Sequence, residues 1–78
     1  MRKKPRRDTH FAVCIGNEGY KVSLEVGKLY RIIPDEKAAS HGYMRVVDES
    51  GEDYAYSADR FFLLEVPQKL ADVLRTAV

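Results

Sequence analysis

Glu49-Ser50-Gly51-Glu52-Asp53-Tyr54-Ala55-Tyr56-Ser57-Ala58-Asp59-Arg60-Phe61-Phe62-Leu63-Leu64-Glu65-Val66 decides the fold. Ser50-Gly51 offers the positive φ that a tight hairpin turn requires, with acidic residues on both sides to keep it in water. Asp53–Ser57 then reads as a strand with Tyr54 and Tyr56 on one face. Ala58-Asp59-Arg60 is long enough for a single 3₁₀ turn and nothing more. Phe61–Val66 follows as a strand that is apolar on both faces, and such a strand calls for cover on each side.

Upstream, Tyr43–Asp48 alternates so that Met44 and Val46 share one face and Tyr43, Arg45 and Val47 the other. Leu29–Ile33 is another strand, which Pro34 ends by removing a ladder donor. The first strand is His10–Ile15, closed by Gly16-Asn17-Glu18-Gly19. Residues 35–42 are small and polar, suited to a loop or one helical turn. Downstream, Pro67 fits a first helical position. Leu70, Val73, Leu74 and Ala77 then recur at helical spacing, which predicts an amphipathic helix over 67–78 lying on the preceding strand. Five short strands and one helix predict a mainly β protein, a small five-stranded barrel over 10–66, because closure removes the hazard of open sheet edges.

The chain has 78 residues, 45% hydrophobic and 32% charged, which suits one small folded domain. Its net charge of +1 conceals an asymmetry: five of the thirteen basic residues (Arg2, Lys3, Lys4, Arg6, Arg7) precede Asp8, and the remainder carries −4. Residues 1–9 read as a flexible, disordered basic arm. Such an arm suits phosphate contact, simple solubilisation, or attraction to the chain's own acidic body. No apolar run reaches membrane-spanning length, and no apolar segment of a secretory leader follows the basic start. A single cysteine, Cys14, leaves no internal disulfide, and a reducing cytoplasm is the expected setting.

In order, the hairpin turn, Tyr54-Ala55-Tyr56, the short turn Ser57–Arg60 and Phe61–Leu64 resemble the closing half of an SH3-like barrel. Leu24-Glu25-Val26-Gly27-Lys28-Leu29-Tyr30 is similar to the diverging turn and second strand of that fold. In wording, Val26–Asp35 and Arg45–Tyr54 resemble a group of uncharacterised small bacterial SH3-like proteins. The resemblance implies the fold over roughly 10–66 and a small interaction module. It does not carry the polyproline ligand of signalling SH3 domains, whose shelf includes a tryptophan: this chain has none, and Ser57 and Arg60 stand where a proline and an aromatic usually flank the 3₁₀ turn.

Tyr43, Tyr54 and Tyr56 with Arg45 and Arg60 are the candidate partner-binding residues, since tyrosine pairs an apolar ring with a wet tip and arginine stacks on rings. Arg31 is a further cation within reach of these strands, and core or cross-strand tyrosines are the plainer reading. Asp48, Glu49, Glu52 and Asp53 read as a solvated hairpin tip and lack the alternating pattern of a calcium loop. His10 and Cys14, four apart on one strand, sit about 13 Å from each other, too far to share a metal. Ser40-His41 lacks an orienting third group for nucleophilic catalysis. The expectation is therefore a non-enzymatic binding module without cofactor or metal. Its partner is expected to be a protein, and the oligomeric state is left open. Nucleic-acid binding through Arg2, Lys3, Lys4, Arg6 and Arg7 is the alternative, and no membrane role is expected.

Overall fold

A computed structural model describes residues 9–77, so the basic arm, apart from Thr9, lies outside the described residues. The described chain is mainly β: β1 (His10–Cys14), β2 (Leu29–Arg31), α1 (Glu36–Ser40), β3 (Tyr43–Val47), β4 (Asp53–Ser57), a 3₁₀ turn (Ala58–Arg60), β5 (Phe61–Glu65) and α2 (Gln68–Ala77). Asp35 starts α1 by accepting the Ala38 N–H at 3.0 Å on its carboxylate, so 35–42 holds a capped helical turn.

The strands form two antiparallel sheets, β2-β1-β5 and β3-β4. They do not close into a barrel, which corrects the expectation from sequence. A single isolated bridge, Ile32 to Val46, joins them, since β2 is only three residues long and Pro34 follows too soon for a ladder. The hairpin matches its reading: Gly51 takes φ +86° and donates to the Asp48 carbonyl at 2.9 Å.

Between the sheets, Ala12, Cys14, Leu24, Tyr30, Val46, Tyr56 and Phe61 form the core. Phe11 is fully buried as well, but on the opposite face of β1 from Ala12 and Cys14. The Arg75 guanidinium of α2 lies 5.9 Å from its ring centroid. The helix is therefore in phase differently from its apolar stripe. Ala71 is its fully buried residue, while Leu70 and Val73 are 44% and 57% exposed. Nor does β5 gain cover on both faces: Phe62 and Leu63 remain 60% and 48% exposed. Among the described residues, no helix is long and apolar enough to cross a membrane.

Ending the chain at Val66 removes Ala71 and Arg75 and opens the Phe11 face to water. The expected loss is about 2–4 kcal/mol, the scale of uncovering one large aromatic side chain, measured as a lower urea midpoint. An unchanged midpoint contradicts this packing.

Candidate functional site: a tyrosine ledge

Alternation on β4 turns Tyr54 and Tyr56 to the inner face, Tyr56 buried and Tyr54 51% exposed at the rim. Their ring centroids are 4.8 Å apart. A third ring arrives from the long β1–β2 loop: Tyr20 meets Tyr56 edge-on at 4.9 Å and Tyr54 at 6.2 Å. Gly19, at φ +84°, reverses the chain just before it, and the Tyr20 N–H donates to the Asn17 carbonyl at 2.8 Å. The Tyr20 carbonyl then accepts from the N–H groups of Ser23 and Leu24, so the ring sits on a tightly turned loop. The Arg60 guanidinium lies 4.8 Å from the Tyr20 centroid. Arg60 Nη1 also donates to the Gly16 carbonyl at 3.3 Å and stands 3.7 Å from the Glu18 carboxylate. Tyr54, Tyr20 and Arg60 thus form a ledge with Tyr56 as its floor.

The sequence-derived set divides here. Tyr54, Tyr56 and Arg60 come together. Tyr43 and Arg45 point to the other face of the β3–β4 hairpin, as their alternation with Met44 and Val46 requires. Arg45 is held between Asp35 (Nε, 3.0 Å) and Asp53 (Nη1, 2.9 Å), an arrangement that raises its own affinity for the proton. Arg31 faces outward on β2, across from Phe11, away from the ledge. Tyr20 is the member that sequence reading missed. Its one local signal is the preceding glycine.

Carboxylates of the hairpin support the ledge from beneath. The Tyr56 hydroxyl donates to Asp48 Oδ2 at 2.6 Å, and burial with that carboxylate pushes the phenol up to about 12. The Tyr30 hydroxyl donates to Glu49 Oε2 at 2.6 Å and accepts the Glu25 N–H at 2.8 Å. Lys28 Nζ reaches the same Glu49 oxygen at 2.6 Å. Burial, with Glu49 alongside, raises the Tyr30 phenol as well. Lys28 first and Tyr30 second hold Glu49 below the usual carboxylate range. Burial works against Asp48, yet hydrogen bonds from Ser50 and Tyr56 leave it lowered too. So the acidic tip is more than a solvated turn: Asp48, Glu49 and Asp53 are committed to Tyr56, Lys28 with Tyr30, and Arg45. Among the described residues, no three of His, Cys, Asp or Glu assemble as a metal site. At the end of α1 the Ser40 hydroxyl donates to the Lys37 carbonyl at 2.7 Å, and the His41 Nδ1 stands 3.0 Å from that oxygen.

Compared with family models, curated proteins and solved structures, the chain matches none of them.

Asp48 and Glu49 bind fewer protons folded than unfolded, so their stabilisation is complete above the ordinary carboxylate range and drains away as pH falls through their lowered values. The urea midpoint should hold steady from about pH 8 to 5 and fall below about pH 4, less steeply in Asp48→Asn. Tyr56 has the opposite sign: its contribution is whole below the ordinary phenol value of 10.0 and is lost as pH rises through about 12. Absorbance of tyrosinate should therefore show a late phase shared by Tyr30 and Tyr56, which Tyr56→Phe reduces without abolishing.

Proposed function

We propose that the protein is a non-enzymatic binding module with an SH3-like strand order, and that its ledge docks an extended segment of a protein partner. What carries the reading is Tyr54, an aromatic left half in water although two neighbouring rings hold it in place. A side chain fixed before binding loses little rotamer freedom on contact, which is why rigid aromatics dominate interface energetics. The partner's apolar side chains lie against Tyr54 and Tyr20, and its backbone carbonyls accept from the tyrosine hydroxyls at the wet rim. Arg60 supplies a cation beside the rings, already placed by Gly16 and balanced by Glu18.

The strand order supports the SH3-like assignment: β1 lies between β2 and β5, β3 pairs with β4, and a 3₁₀ corner leads from β4 into β5. A protein partner is favoured over nucleic acid at this face because Glu18 flanks Arg60 and the β3–β4 turn carries Asp48, Glu49 and Glu52. A nucleic-acid surface instead gathers positive charge on the folded body.

Replacement of Tyr54 by a photo-reactive benzoylphenylalanine in living cells tests this, with the same group at Tyr43 as control. A discrete protein adduct from position 54 and none from 43 is expected. With the partner in hand, Tyr54→Ala should weaken binding by roughly tenfold or more. Adducts to nucleic acid, or equal adducts from both positions, defeat the assignment.

A further inference from the structure

β5 forms one outer edge of its sheet. The Ile15 N–H donates to the Arg60 carbonyl at 2.7 Å, and the Val66 N–H to the Thr9 carbonyl at 3.0 Å. Antiparallel alternation between those points turns the backbone groups of Phe62 and Leu64 toward β1 and those of Phe61, Leu63 and Glu65 outward. The Phe61 N–H is used within the 3₁₀ corner, where it donates to the Ala58 carbonyl. No described residue pairs with the outward N–H and C=O of Leu63 or Glu65. Exposed edges are ordinarily blunted by lysine, proline or a bulge, and this one carries no charge from Phe61 to Leu64. Beside it lies a groove of about 240 Å³, mostly apolar along Ile32, Ile33, Pro34, Met44 and Leu63, with Asp35 and Arg45 also in its lining.

We infer that β5 is a self-association edge, pairing antiparallel with β5 of a second copy about a two-fold axis at Leu63. The register is self-complementary. Leu63 meets its own equivalent next to the groove, with reciprocal N–H to C=O bonds. Phe62, the more exposed of the two, meets Leu64 of the other copy on the outer face, and Leu64 meets Phe62. The two Glu65 carboxylates fall at opposite ends of the ladder, so no like charges oppose each other. Pro67, with no N–H, limits the added ladder to the length of β5. A two-fold contact of this kind uses the edge of both copies at once and stops at the dimer. This surface is separate from the ledge and does not depend on it.

Sedimentation equilibrium of the full chain should show a monomer–dimer equilibrium. Leu63→Lys places a charge on the axis and should weaken association roughly tenfold or more, with the circular dichroism spectrum unchanged. Leu63→Cys gives a readout that does not depend on how the lysine variant folds. Directly opposed residues of a hydrogen-bonded antiparallel pair lie about 5.5 Å apart at Cα, within disulfide reach, so mild oxidation should link two chains. Glu36→Cys on α1 should not link, and Tyr54→Ala should dimerise as the unmodified chain does. A monomer at every concentration, assemblies larger than two, or linkage no faster at position 63 than at 36 would each overturn the inference.

Discussion

Two buried phenols hold this molecule together. The sheets share one backbone bridge, Ile32 to Val46, and so lack the continuous ladder that would fix their relative position. Tyr30 supplies a hydrogen-bonded connection, reaching from β2 to Glu49 of the β3–β4 turn, whereas the Tyr56 hydroxyl stays within its own hairpin on Asp48 and its ring links the sheets by packing 5.9 Å from Phe61 of β5. Tyr30 also takes the Glu25 N–H, and the Glu49 N–H donates to the Ser23 carbonyl at 3.0 Å, so the long β1–β2 loop is tied to the same turn. A hydrogen bond to a charged partner contributes about 1.5–3 kcal/mol, and a buried hydroxyl without one costs on a similar scale. In a core whose largest fully buried side chains are Phe11, Leu24, Val46 and Cys14, terms of that size weigh heavily.

This dependence explains which features could be read in the chain and which could not. The strands were legible because each turn declares itself chemically: Gly51 at the hairpin, Pro34 after β2, Gly42 at φ +83° before β3. Closure was not legible, since barrel and open pair of sheets need the same alternation and differ only in how many residues of β2 reach β3. The phase of α2 misled for a related reason. Hydrophobic spacing nominates Leu70 and Val73, whereas the fully buried residue of the helix is the small Ala71.

The ledge was legible by half. Tyr54 and Tyr56 share a face by strand period, and Arg60 ends the 3₁₀ corner beside them. Tyr20 joins them through a loop that no periodicity describes, and Tyr43 leaves because the same period that unites residues 54 and 56 sends it to the other side of β3. Aromatic count alone therefore mixes two faces. Pairing register separates them.

β5 links the floor of the ledge to the open edge. Phe61 stacks 5.9 Å from Tyr56 and 6.5 Å from Tyr30, beneath both phenols that bind the sheets. Leu63, two residues on and on the same face, has no such rings over it and borders the groove instead. The strand is thus anchored at its start and unpartnered toward its end, and this polarity follows from where the tyrosines stop. A charge at position 63 would blunt the edge. Leucine instead leaves an apolar, hydrogen-bonding margin continuous with the core residue Phe61.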